Sequence, residues 1–273
     1  MESYANLSIY KLKNEHRFEF KEATFLNKKF PPHFHNHWSI AFIKAGSEML
    51  FINGMEYNFS ANTLIIIPPN IIHSHSGIND SFWEYEALYF EMDSLVFIPL
   101  HLQESLTESM IISTNINQLS NFKYFSHAFK SQQFNNVSFS YFIRDVVIDM
   151  QTSWINVVSN VVSSNMIEDI KIDLSSDFYH KITLDSLSKK YHVDKFKLLR
   201  SFKKAIGTTP NEYLLSMRIE NAKQLIHQGY PLLDSALDSG FYDQSHFYNY
   251  FKKYVGISPS EYKRKLQYIT SLS

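Results

Sequence analysis

Gly240-Phe241-Tyr242-Asp243-Gln244-Ser245-His246-Phe247-Tyr248-Asn249-Tyr250-Phe251-Lys252-Lys253, followed by Gly256, Pro259, Glu261 and Tyr262, decides the fold, because much of it occurs twice. An offset of 49 residues upstream returns Asp194, Phe202, Lys203, Lys204, Gly207, Pro210, Glu212 and Tyr213 at the positions of Asp243, Phe251, Lys252, Lys253, Gly256, Pro259, Glu261 and Tyr262. Leu198 stands at the place of Phe247, and Thr209 at that of Ser258. Self-similarity at a fixed spacing means one supersecondary unit built twice.

Each copy reads as two helices around a tight turn. Thr183 supplies an N-cap hydroxyl for a short helix with Leu184 and Leu187 on one face, and a turn follows at His192-Val193. Asp194 then caps a second helix whose inward positions are Leu198, Leu199 or Phe202, and Ile206. Gly207 suits a left-handed helix end, and Pro210 blocks resumption before the next helix. In the second copy a helix around Leu233 to Ser239 precedes a turn at Gly240-Phe241, a cap at Asp243, a helix to Tyr254 and a stop at Gly256. Such a pair, with a basic second helix, is a helix-turn-helix.

Charge is distributed accordingly. The net charge is −1, yet residues 1–172 carry 11 Lys and Arg against 17 Asp and Glu, whereas residues 173–273 carry 15 against 10. The second part is the one suited to meet a polyanion. The helix after Asp194 contains Lys195, Lys197, Arg200, Lys203 and Lys204; the helix after Asp243 has only Lys252 and Lys253.

The second copy, with Ser260 between Pro259 and Tyr262, resembles the signature of the AraC/XylS family of transcription regulators. Arg218-Ile219, Ala222 and Leu225-Ile226 resemble that family's connecting helix, and the resemblance spans roughly residues 175–265. Two positions depart from it: Asn249 stands where Arg is usual, and Lys263 replaces a terminal Arg. The resemblance implies DNA contact through Lys195, Phe196, Leu199, Arg200 and Lys203 in the first unit, and through Gln244, Ser245, Tyr248, Asn249, Lys252 and Lys253 in the second. The amides of Gln244 and Asn249 match adenine, Arg200 matches guanine, and lysines farther along hold phosphates. We expect the first helix to anchor affinity and the second to tune base choice.

From about residue 17 to 93 the pattern changes to short strands. Trp83, Tyr85, Ala87 and Tyr89 alternate with Glu84, Glu86 and Leu88 in the period of a half-buried strand. Leu64 to Ile67 before Pro68-Pro69 reads as a buried strand, and Asn53-Gly54 as a hairpin turn. This spacing indicates a β-sandwich or barrel. The segment also resembles the two cupin motifs: His33-x-His35, Ser39 and Gly46 keep the first spacing with Ser39 in place of Glu, and Asn62, Pro68, Asn70 and His73 keep the second with both Asn in place of Gly. Pro31-Pro32-His33 with Trp83, Tyr85, Leu88 and Tyr89 further resembles AraC-type sensor domains, which implies a small-molecule effector held by His33, His35, Trp38 and His73.

Residues 115–165 read as helical, with an apolar stripe of Phe139, Phe142, Ile143, Val146, Val147, Met150 and Trp154 that packs on the barrel or also pairs two copies of the chain. Ile172 to Ser176 reads as a polar connection between domains 1–172 and 173–273. The expected fold is therefore α+β: a cupin-like β-barrel with trailing helices, then an all-α domain with two helix-turn-helix units.

Composition narrows the remaining options. With no cysteine there is no disulfide framework, thiolate metal site or cysteine nucleophile. No apolar run reaches the roughly 18 residues of a membrane span, and the first residues lack the order of a secretory signal, so a cytoplasmic location is expected. The resemblance implies an activator that is not an enzyme and has no cofactor, with double-stranded DNA, a small effector, RNA polymerase and a second copy of the chain as partners. Two alternatives remain at this level. One is a metal-dependent cupin enzyme or metal sensor using His33, His35 and His73, with His37 and His75 in reserve. The other is a regulator without an effector, controlled by a protein docking on the acidic half.

Overall fold

The computed structural model describes residues 4–12, 18–26, 28–52, 55–91, 109–131, 133, 135–149, 154–156 and 165–269. Its first part is built from strands β1 (Tyr4–Leu12), β2 (Phe18–Leu26), β3 (Trp38–Ile52), β4 (Met55–Ser60), β5 (Thr63–Ile67), β6 (His73–Gly77), β7 (Phe82–Phe90), β8 (Ser109–Ser113) and β9 (Trp154–Asn156). Helices α1 (Ile116–Lys130) and α2 (Asn136–Asp149) follow β8. The second part holds α3 (Asn165–Ser176), α4 (Leu184–Lys190), α5 (Lys195–Ile206), α6 (Pro210–His227), α7 (Leu232–Leu237), α8 (Gln244–Val255), α9 (Pro259–Lys265) and a final strand β10 (Leu266–Ile269).

The sheet runs β10-β1-β2-β7-β3-β5-β8-β9, with β4 and β6 also on β3. The long β3 organises it: its first half pairs β5 and β7, and its second half pairs β4 and β6. The register slips between Ile43 and Ala45, next to Gly46. Gly46 has φ +75°, and a Cβ there would lie 2.1 Å from the Phe82 carbonyl oxygen, so only glycine fits the bend. Asn62 and Asn70, which replace the motif glycines, also hold positive φ (65° and 64°). Asparagine is among the few side chains that tolerate this region, so the turns survive the exchange. Ile52 pairs with Met55, as the hairpin reading requires; Asn53-Gly54 itself lies outside the described residues.

Side-chain alternation sends the two faces of the sheet to different partners. Phe18, Phe20, Trp38, Ile40, Phe42, Leu88 and Phe90 pack under Phe122, Phe125 and Phe129 of α1 and Phe139, Phe142, Ile143 and Val146 of α2. The opposite face of the same strands offers Ala23, Phe25, Trp83, Tyr85 and Ala87 to Leu215, Ile219, Phe247, Phe251 and Tyr254 of the helical domain. Much of β7 is thus buried on both faces, not half-buried as its alternation suggests. The described part of the α2 stripe, Phe139, Phe142, Ile143 and Val146, is spent on its own sheet.

Two further expectations change. Trp154, placed in a helical stripe by sequence, belongs to β9, where it pairs with Ile111. Met150 lies outside the described residues. Ile172 to Ser176 forms the last part of α3 and not a polar connection, because Ile167, Ile170 and Leu174 bury that helix against Leu187, Leu198, Phe202 and Leu214. Strand β10 leaves α9 to pair in parallel with β1, an attachment of the chain's end to the sheet that no local pattern announced.

Candidate nucleic-acid interface and ligand cavity

The two helix-turn-helix units form as their repeated sequence dictates. Thr183 caps α4 in a reciprocal capping box with Ser186, and Thr209–Glu212 and Ser258–Glu261 repeat the device on α6 and α9. The Asp194 carboxylate accepts from the backbone N–H groups of Phe196 and Lys197, both at 3.0 Å, and Asp243 accepts from His246 at 2.7 Å. Both second helices, α5 and α8, end on a left-handed glycine, Gly207 and Gly256. Leu198 and Phe202, like Phe247 and Phe251, are buried, which orients the opposite faces outward.

Most of the side chains expected to meet DNA lie on those outward faces. Lys195, Phe196, Arg200 and Lys203 are exposed on α5, and Gln244, Ser245, Asn249, Lys252 and Lys253 on α8. Phe196 is 58% exposed. Leu199 and Tyr248 are half-buried; the Tyr248 hydroxyl is hydrogen-bonded to Ser260 Oγ, so α9 braces it. From the sheet side, Lys28 Nζ donates to the carbonyls of Lys252 (3.1 Å) and Lys253 (3.2 Å), which ties the end of α8 to the first domain.

Three of the four expected effector residues come together and one does not. His33 and His73 face each other across a backbone bridge, with both N–H···O bonds at 2.9 Å. Their Nδ1 atoms donate to the carbonyls of Pro31 (2.8 Å) and Ile71 (2.9 Å). One ring nitrogen from each of His33, His35 and His73 lies within 4.8 Å of the others. His35 Nδ1 also meets Glu220 Oε1 of α6 at 3.3 Å, and His75 Nδ1 meets the buried Glu48 at 2.8 Å. Burial pushes the His33 and His73 imidazoles well below their ordinary value; burial lowers His35 to about 4 despite its bond to Glu220. Trp38 is the exception. With Ile40 and Phe42 it points to the helix-covered face, stacked near Phe90, while Ser39 and Ala41 point to the histidines.

The larger space lies between the sheet and α6. A cavity of about 470 Å³ is lined by Lys11, Glu19 and Tyr89 from the strands and by Glu220, Lys223 and His227 from α6, with His35 at its edge. Burial by itself raises the Glu19 carboxyl, but Lys21, His227 and Lys223 together overcome it and hold the group well below the carboxylate range. Burial raises Glu220 too, and Lys223 with His35 reverses that. Lys223 Nζ sits 2.8 Å from Glu220 Oε1. Burial lowers His227 to about 3, against the pull of Glu19; its Nε2 is 2.7 Å from the Tyr262 hydroxyl. Sequence reading missed these residues, although Glu220, Lys223 and His227 recur at helical spacing on one face of α6. That signal was visible, but nothing in the sequence said which surface the face would meet.

Comparison with known proteins agrees with both halves. Residues 187–265 match the model described as a helix-turn-helix domain, and residues 15–112 match the AraC-like ligand binding domain. A relative from Bacillus subtilis, the uncharacterized HTH-type transcriptional regulator YbfI, is 28% identical over 242 residues, covering 80% of this chain and 82% of its own. The HTH-type transcriptional activator AarP of Providencia stuartii is 34% identical over 101 residues, covering 37% of this chain and 75% of its own. Among solved structures, ToxT from Vibrio cholerae has a similar fold, with a TM-score of 0.58 at 15% identity over 96% of this chain and 97% of that one. Two domains, two matched models and a tandem repeat of DNA-reading helices place one conclusion beyond the individual residues: the chain belongs to the AraC family of transcription regulators.

Proposed function

We propose that the chain is a transcription activator whose DNA affinity is set by a small polar effector in the cavity between the sheet and α6. One observation carries this reading: the helix that lines the cavity with Glu220, Lys223 and His227 is also the helix that joins the two reading units. A ligand there touches both domains, so it distinguishes arrangements in which α6 sits differently on the sheet, and only such a differential affinity shifts a population. The mixed lining of carboxylates, ammonium groups and neutral imidazoles favours a molecule with both donors and acceptors. ToxT from Vibrio cholerae has been solved with an unsaturated fatty acid bound, a ligand whose headgroup would here have to sit on Lys11 or Lys223.

In the same reading, Lys195, Phe196, Leu199, Arg200 and Lys203 enter one major groove and Gln244, Ser245, Tyr248, Asn249, Lys252 and Lys253 the next. The active species is a cytoplasmic homodimer that recruits RNA polymerase. Dimer contact falls to the outer faces of α1 and α2, where Tyr124, Val137 and Tyr141 are exposed. The test is selection of the full-length chain against random duplex DNA over a salt series. A recovered paired motif, with affinity falling steeply as salt rises, is expected. No motif from the full-length chain at any salt, with or without candidate effectors, refutes the reading.

A further inference from the structure

We propose that Lys28 of the sheet domain joins Lys252 and Lys253 of α8 in holding DNA phosphates, so that the effector-binding half of the chain touches the duplex directly. The inference rests on the reading in which α8 enters a major groove. No local pattern announces it, because Lys28 lies just beyond β2 in the acidic half of the sequence.

The fold fixes the position of Lys28 closely. Phe25 and Phe30, which flank it along the chain, are buried against the end of α8, where a Cβ on Gly256 would meet them at 2.9 and 3.5 Å. The Lys28 stem passes over the Phe30 ring, with Nζ 5.1 Å from the centroid. Its ammonium then donates to the carbonyls of Lys252 (3.1 Å) and Lys253 (3.2 Å), at the negative end of the α8 dipole. An ammonium has three hydrogens, so one remains for an acceptor outside the helix.

Charge and position select that acceptor. Among the described residues, none of Lys28, Lys252 and Lys253 forms an ion pair with a carboxylate. Glu261, the acid on which Lys252 acts, is engaged in the capping box of α9 with Ser258. Burial lowers the Lys28 ammonium to about 8, and the charges of Lys252 and Lys253 push it the same way. An anion relieves such crowding. Ser245, Asn249, Lys252 and Lys253 follow one another at steps of three or four residues, so all lie on the outward stripe of α8. From Ser245 to Lys253 the helix covers roughly 12 Å, about the width of a major groove. With base edges at the first end, the lysine end stands at the sugar-phosphate wall, and Lys28 adds a cation there from the other domain. Because Lys28 moves with the sheet, this contact exists only while sheet and α8 stay docked.

The experiment acylates the amines of the full-length chain with and without a mixed-sequence duplex, read by mass spectrometry, and measures duplex affinity over a salt series. Lys28, Lys252 and Lys253 are expected to be protected together, while Lys123, exposed on α1, reacts as before. Lys28→Gln should lower the slope of log affinity against log salt by about one, and Lys28→Arg should keep it. Loss of a helix cap alone would lower the melting temperature and leave the slope unchanged. Should Lys28→Gln fail to fold, acylation of the unaltered chain decides. Equal acylation of Lys28 with and without duplex, an unchanged slope in Lys28→Gln, or equal protection by inorganic phosphate at the same phosphate concentration overturns the proposal and leaves the DNA-reading role of α5 and α8 standing. Absence of any salt-dependent duplex binding by the unaltered chain overturns both.

Discussion

Gly207 and Gly256 occupy the same place in the two repeats, and replacing each by alanine isolates what the contact between the domains contributes. Both end a helix in the left-handed region, with φ +86° and +98°. Forcing an L side chain there costs roughly 1–2 kcal/mol in either case. Their surroundings differ. A Cβ on Gly207 meets only Ile72, at 3.8 Å, which is ordinary contact. A Cβ on Gly256 would lie 2.9 Å from Phe25 Cε1 and 3.5 Å from Phe30 Cζ, aromatic side chains buried in the sheet domain. Overpacking of this kind costs about 1–3 kcal/mol more. Gly207→Ala is therefore expected to lose about 1–2 kcal/mol and Gly256→Ala about 2–5 kcal/mol in urea unfolding followed by circular dichroism. Because the excess arises between domains, Gly256→Ala should also speed proteolytic cleavage between them at urea concentrations where Gly207→Ala remains intact. Equal losses for the two variants, with equal protease resistance, would refute the claim that α8 bears on the sheet through Phe25.

Further expectations concern the reading helices and the cavity. Asn249→Ala should relax base preference at one position by about 1–3 kcal/mol in competition binding, whereas Lys203→Ala should weaken all sequences alike and reduce the salt slope by about one; identical effects on preference would end the division of labour between α5 and α8. Asp194→Ala removes the acceptor for two N–H groups of α5 and should cost about 0.5–2 kcal/mol in thermal unfolding, with DNA affinity falling in parallel. His227, held near 3 by burial among Glu19, Lys11, Lys21, Lys223 and Tyr262, stays neutral when folded but takes a proton near 6.5 when unfolded. The unfolded state then binds more protons, so stability should fall as pH drops below about 6.5, with His227 contributing up to about 1.4 kcal/mol per pH unit beside the shares of His33, His35 and His73. His227→Gln should reduce the slope between about pH 6.5 and 4.5 by up to about 1.4 kcal/mol per pH unit, and an unchanged slope would refute the assignment.

How much of this was legible depends on the range of the interaction. Caps, turns and stops are local: Thr183, Asp194, Gly207 and Pro210 act within one helical turn, so their pattern and its copy 49 residues on defined the helices and their outward faces. Alternation in β7 is local as well, and it correctly separated Trp83, Tyr85 and Ala87 from Leu88. What lies against each face is not local. Trp38 has the character of a pocket aromatic, yet its parity on β3 sends it under α1 and α2. The stripe of α2 was equally suited to a second chain, and only packing shows that its own sheet consumes it. The sequence by itself determined two domains, a DNA-reading tandem repeat and a histidine-bearing sheet, because periodicity and capping are written over a few residues. Tertiary structure alone decided that α6 closes a cavity over Glu19 and Lys11, and that Glu220 reaches His35 across 185 residues of chain, because such contacts depend on how two finished surfaces meet.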